Sequence, residues 1–140
     1  MRALIATILL VSATAAAGDQ AGLKPIVTSE IVSTTVTAAG QPIVLPTGAV
    51  RLIATRYEIA PGAALPVHKH PYPRYAYVLA GNLKVTEADT GASQAYKAGD
   101  VIVEMVDRWH SGQNTGSDPV SLVVIDQVPE GSANTVLRGP

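Results

Sequence analysis

The chain contains no cysteine, which excludes disulfide bridges and lipoprotein attachment. Phenylalanine is also absent and Trp109 is the single tryptophan, so a core must be built from Val, Ile, Leu, Ala and some of the five tyrosines. Neither sign of charge prevails. Ten Lys plus Arg stand against eleven Asp plus Glu, which leaves no field to steer a polyanion, and no basic cluster marks a nucleic-acid surface. Beyond the N-terminal segment, no window carries apolar residues at i, i+3, i+4 and i+7 without a Gly or Pro interrupting it. Ser-x-x-Lys, Gly-x-Ser-x-Gly and glycine-rich phosphate loops are missing too, so nucleophile and phosphate chemistry have no motif to rest on.

What is present begins with an export signal. Met1-Arg2 gives a positive start, Ala3 to Ala13 is an uncharged apolar run, and Ala15-Ala16-Ala17 offers the small-x-small pattern of a peptidase site. Residues 1–17 therefore read as a signal peptide cleaved after Ala17, shorter than the ~20 residues a membrane span needs. The expected location is exported, periplasmic or secreted, with no membrane span after signal removal. The remaining ~120 residues suffice for one domain with one core, residues 18–140.

From Lys24 onward the texture is that of successive strands. Ile26 to Val36 is rich in Val, Ile and Thr; Pro42 to Pro46, Val50 to Ile59, Asn82 to Ala88, Val101 to Val103 and Val120 to Val128 follow. Turn signals separate them at Gly40, Gly48, Pro61-Gly62, Gly81-Asn82, Thr90-Gly91 and Gly99-Asp100. Short strands at this spacing imply an all-β sandwich or barrel between about Lys24 and Val128, with Pro129 to Pro140 as a tail or arm.

The chemistry concentrates in three histidines. His68 and His70 flank Lys69, and in a strand they share one face while Lys69 takes the other. His110 lies in a second stretch, Gly99 to Asn114, which runs through an apolar strand and a turn at Asp107-Arg108. A hairpin there returns His110 beside His68 and His70, and three converging imidazoles form half or more of a cation site.

Both stretches resemble the two motifs of the cupin superfamily. The first runs Gly62, five residues, His68-Lys-His70, three residues, Arg74, six residues, Gly81; the second places Gly99, Met105, Asp107, His110 and Asn114 at the family's Gly, Pro, Gly, His and Asn positions. The resemblance implies a jelly-roll β-barrel of antiparallel strands and one divalent metal held by His68, His70 and His110. Zn, Cu, Fe, Ni and Mn all remain open. The chain departs from the pattern at Arg74, where the family usually carries a metal-ligating Glu. A guanidinium has no lone pair to offer and repels a cation. No acid within either motif stands ready to pair with it. Arg74 is therefore expected to point inward and bind the carboxylate or enolate of a ligand, with Tyr72 lining the pocket mouth; the alternative is an outward Arg74 on Glu104 or Glu58. Glu104 itself reads as a solvated strand charge.

Two function classes follow. One is a small-molecule metalloenzyme, oxygenase- or isomerase-like, acting on a small anion; the other is a non-catalytic module that holds a metal or small anion. No carboxylate occupies a motif position as a general base. A homodimer is expected, because an unpaired barrel edge invites pairing.

Overall fold

The computed structural model describes residues 25–139; the N-terminal segment read as a signal peptide lies outside the described residues. Nine strands appear in chain order: β1 (Val50–Ile59), β2 (His68–Lys69), β3 (Arg74–Ala80), β4 (Asn82–Glu87), β5 (Ser93–Lys97), β6 (Val101–Val103), β7 (His110–Asn114), β8 (Val120–Pro129) and β9 (Val136–Leu137). They form two sheets, ordered β1-β8-β3-β6 and β5-β4-β7-β2-β9, and every strand pair is antiparallel. No helix occurs among the described residues. The fold is all-β, a jelly roll of two facing sheets.

The space between the sheets is filled as the composition requires. Ile59, Ala76, Val78, Leu83, Ile102, Val120, Leu122 and Val124 are buried, with Tyr57 and Tyr96 packed against them. Period-two alternation selects these residues: Ala76 and Val78 face in while Tyr75 and Tyr77 face out. Gly81 closes the first motif at φ 83° because the β8 start passes too close for a side chain. A Cβ there would meet Pro119 O at 2.7 Å and Val120 Cα at 2.8 Å. Asp107 takes the position of the family's second motif Gly and keeps a left-handed backbone, φ 53°, which Asp tolerates better than most residues.

Two boundaries differ from the sequence reading. Ile26 to Val36, rich in β-formers, is not a strand of the barrel, which starts at Val50. That segment is exposed, and its one pairing is the isolated bridge Val36–Pro42. Strand propensity is expressed only where a neighbour and a buried face exist. The tail past Val128 is the opposite case, since β9 pairs with β2 and Asn134 is buried at 4% exposure.

Candidate metal centre

The register of two short strands builds the centre. His68 and His110 are direct cross-strand partners in β2 and β7, and His70 follows two residues on, held by a parallel bridge to Val106. All three rings are buried, with centroids 4.5 to 4.9 Å apart. Lys69 takes the opposite face and pairs with Asp107 at 3.0 Å, as strand alternation demands. One candidate ligand atom from each histidine lies within 4.8 Å of the others.

Backbone carbonyls set the tautomers. His68 Nδ1 is 2.7 Å from Pro66 O, His70 Nδ1 2.6 Å from Asn134 O, and His110 Nδ1 2.8 Å from Arg108 O. A carbonyl only accepts, so each Nδ1 carries a proton, and Nε2 is the nitrogen left to offer a lone pair to a cation whenever the ring is neutral. That is the arrangement in which outer hydrogen bonds orient histidines for a metal.

Glu104 completes the set, and the sequence reading had left it in solvent. Its side chain is 15% exposed, and its Oε2 lies 3.1 Å from His110 Nε2 and 3.3 Å from His70 Nε2. The sheet explains why. β3 and β6 pair Tyr75 with Val103 and Ala76 with Ile102; one step further, Glu104 N donates to Arg74 O at 2.9 Å. Glu104 therefore sits opposite the position where the family keeps its carboxylate, on the same inward face. A signal existed in the parity of Val101-Ile102-Val103-Glu104: if Ile102 faces in, so does Glu104.

Arg74 does point inward, at 7% exposure, but its anion is internal. Nε and Nη2 donate to the two carboxylate oxygens of Asp126 at 2.7 and 2.9 Å, and Nη2 also reaches Thr135 Oγ1 at 3.1 Å. Asp126 is the cross-strand partner of Arg74 on β8. It lies outside both motifs, which is why motif reasoning found no acid to pair with Arg74. Glu58 is engaged elsewhere, with Arg56 at 2.7 Å. A row Asp126–Arg74–Glu104 thus crosses three inward strand positions and carries a formal net charge of −1, the charge a single carboxylate would carry there. The remaining nitrogen, Nη1, approaches His70 Nε2 at 3.4 Å.

Asn134, also missed from the sequence, ties the tail to this row. Its carbonyl accepts from His70, its side chain donates to Asp126 Oδ1 at 2.6 Å, and its Oδ1 accepts from Tyr72 N at 2.8 Å. Tyr72 joins this network through that backbone bond, and its side chain is not among those lining the chamber beside the histidines. Trp109 faces away from His110, with Lys69 Nζ 5.2 Å and Arg138 Cζ 5.5 Å from its ring centre. Asn114 pins its loop by donating to Ile59 O and Asp118 O.

Electrostatics follow the geometry. Burial drives the His68 pKa down to about 4, assisted by the neighbouring imidazoles. Burial also opposes charge on His110, but its hydrogen bond to Glu104 and that carboxylate's charge outweigh it, and the His110 pKa is raised. Glu104 is buried as well, yet the two imidazoles hold its carboxyl far below the usual carboxylate range. A carboxylate facing imidazole nitrogens calls for a positive charge among them, supplied by a proton or by a cation.

The chamber beside these groups is small, about 30 Å³, and is lined by the polar His68, His110, Arg74 and Glu104 together with the apolar Leu83, Val85, Leu122 and Val124. That admits one or two waters. A larger cleft of about 400 Å³, between Ala38-Ala39 and the β4–β5 hairpin, contains none of the histidines, and Val85 lines both it and the chamber.

A family model described as Cupin domain matches residues 55–126, half of the chain. The chain belongs to the cupin family. Among solved structures, this cupin is similar to oxalate decarboxylase from Lactobacillus farciminis in its formate complex, at 26% identity and a TM-score of 0.52, over 61% of this chain and 26% of that one. It also resembles a double-stranded β-helix protein from Klebsiella pneumoniae, at 22% identity and a TM-score of 0.51, over 71% and 83% of the two chains. A third is the DMSP lyase of Ruegeria pomeroyi, at 22% identity and a TM-score of 0.52, over 61% and 42%. The last two likenesses are of fold. This cupin spans about a quarter of the decarboxylase it matches. Curated protein sequences give no match.

Proposed function

We propose that this cupin binds one divalent metal ion through His68, His70 and His110, with Glu104 as the fourth donor. On this reading it is a small-molecule metalloenzyme, oxygenase- or isomerase-like, acting on a small carboxylate or enolate. The observation that carries the reading is the donor set: three imidazoles whose Nδ1 atoms are held by carbonyls, with a buried carboxylate oxygen 3.1 and 3.3 Å from two of the Nε2 atoms. Three nitrogens and one hard oxygen suit Mn, Fe or Zn better than a thiophilic ion. When bound, the ion would supply a Lewis acid that stabilises negative charge on a substrate oxygen. The chain's own part is to orient the ligands, exclude bulk water with the wall of Leu83, Val85, Leu122 and Val124, and hold Arg74 Nη1 beside His70. The chamber limits what enters it to a group of a few heavy atoms. The formate held by the decarboxylase neighbour is a ligand of that size.

Two observations favour a second reading, a non-catalytic metal-binding module. The chamber is only about 30 Å³, and Arg74 is already satisfied by Asp126. Elemental analysis of the purified protein, followed by calorimetric titration of metal-stripped wild type and His110→Ala, tests the centre. Uptake of one equivalent by wild type and none by the variant supports it, whereas equal uptake of Zn, Mn and Fe(II) by both removes it. Oxygen consumption or turnover of small carboxylates by the loaded protein then separates enzyme from module.

A further inference from the structure

Glu87 and Arg108 are charged groups that the metal centre does not use, and both line the cleft of about 400 Å³. Glu87 follows Leu83 and Val85 on the buried side of β4 and is the cross-strand partner of His110. Strand parity thus places a carboxylate on the core face, where its side chain is 11% exposed. Arg108 reaches it from the turn before β7. Nη1 donates to Glu87 Oε1 at 2.8 Å, and Thr90 Oγ1 donates to Oε2 at 2.8 Å. Neither partner is spent. The Arg108 guanidinium makes no other hydrogen bond among the described residues, so the rest of its donor fork remains for a ligand. Each Glu87 oxygen holds one bond and keeps a second lone-pair site.

Apolar groups complete the cleft, with the buried Val85 and Met105 joined by Ala38, Ala39 and Ala92. Its volume falls within the ~300–1,000 Å³ of small-molecule sites, far above the chamber of about 30 Å³. The Ala38-Ala39 wall is fixed before any ligand arrives. Ala38 N donates to Val103 O at 2.8 Å, and Thr37 N closes the turn onto Gln41 O at 2.8 Å. The Gln41 side chain then bonds both backbone groups of Val106, at 2.8 and 3.0 Å. A cleft held open in this way asks little reorganisation of what binds it.

We propose that this cleft binds a small α-hydroxy or α-amino carboxylate with an aliphatic chain, and does so without the metal. The ligand carboxylate takes the open edge of the Arg108 guanidinium in two-point contact. Its neighbouring hydroxyl or ammonium donates to Glu87, and its chain lies against Val85 and Met105. The charge pattern demands the donor. A bare carboxylate on Arg108 would face the Glu87 carboxylate beside it, and like charges repel. A donor on the adjacent carbon replaces that repulsion with a hydrogen bond. The hydroxy and amino acids share this chemistry, and the apolar wall selects those with a hydrocarbon side chain over small polar ones.

The test is a titration of isotope-labelled, metal-stripped protein with α-hydroxyisocaproate, L-leucine and isocaproate, followed by backbone amide shifts. Saturable shifts at Ala39, Ala92 and Gln94 are expected from the hydroxy acid, the amino acid or both below ~50 mM, a range that ligands of so few atoms reach. Which of the two binds tells whether Glu87 takes a hydroxyl or an ammonium. Isocaproate, which lacks the donor, should bind about fivefold more weakly or not at all. Arg108→Gln should cost about tenfold. Arg108→Lys keeps the charge beside Glu87 but loses the planar fork, and should cost about fivefold. Ser93→Trp fills the cleft from β5 and should abolish binding. No saturable shift from either acid overturns the proposal. So does isocaproate binding as tightly as the other two, or binding unchanged in Arg108→Gln or in Ser93→Trp. Binding that appears only once Zn(II) or Mn(II) is restored overturns it too, because it assigns the ligand to the metal centre. If Arg108→Gln does not fold, Arg108→Lys and Ser93→Trp decide. The stripped protein reads the cleft alone, so the result stands whether or not the three histidines hold an ion.

Discussion

Replacing Glu104 with Gln removes one charge from the centre and almost no volume. The carboxylate Oε2 lies 3.1 Å from His110 Nε2 and 3.3 Å from His70 Nε2, so a cation among the imidazoles would sit against it. At an effective dielectric near 20, a unit charge and a dication about 4 Å apart attract by roughly 8 kcal/mol. Part of that is offset by the desolvation that a buried carboxylate already bears, and the Gln carbonyl remains as a neutral donor. A net loss of about 3 kcal/mol is the expected result, about a hundredfold in metal affinity. This matches or exceeds the 10–100-fold typical of residues that only orient a ligand. Competition against a chromophoric chelator with Mn(II) and Zn(II) measures it, with cooperative thermal unfolding as the control for folding. If Glu104→Gln binds both ions within threefold of the wild type, the carboxylate opposite Arg74 does not replace the family's Glu, and the reasoning from sheet register fails.

Other expectations follow from the same contacts. Asp126→Asn should cost about 3 kcal/mol of unfolding free energy in denaturant titrations, since it leaves Arg74 buried without its counter-ion. Arg74→Glu should destabilise similarly rather than restore a better site, because it sets three carboxylates in one row; a variant as stable as wild type with tighter metal binding would refute this. Asn134→Ala, which frees both Asp126 and the loop whose carbonyl holds His70, should lower metal affinity about tenfold in the same competition assay. Mass spectrometry of protein recovered from the exported fraction should show a chain beginning at Gly18, and an uncleaved N-terminus would refute the signal-peptide reading.

The sequence by itself determined the fold class and the three histidines. Gly and Pro punctuation with period-two alternation is local information, and the spacing from Gly62 to Gly81 and from Gly99 to Asn114 needs no knowledge of which strand lies beside which. The absence of Phe likewise foretold a core of Val, Ile, Leu and Ala. Three decisions were left to the tertiary structure. Ile26 to Val36 has the propensity of a strand but no neighbour to pair with, so it stays outside the barrel. Arg74 has an obvious need for an anion, yet Asp126 lies 52 positions along the chain and becomes its neighbour only because β8 pairs with β3. Glu104, unremarkable in a run of valines, enters the centre because β6 pairs with β3 in the register that sets it opposite Arg74. Long-range strand pairing assigns these charges their partners, and no local pattern encodes which distant residue a sheet will place alongside.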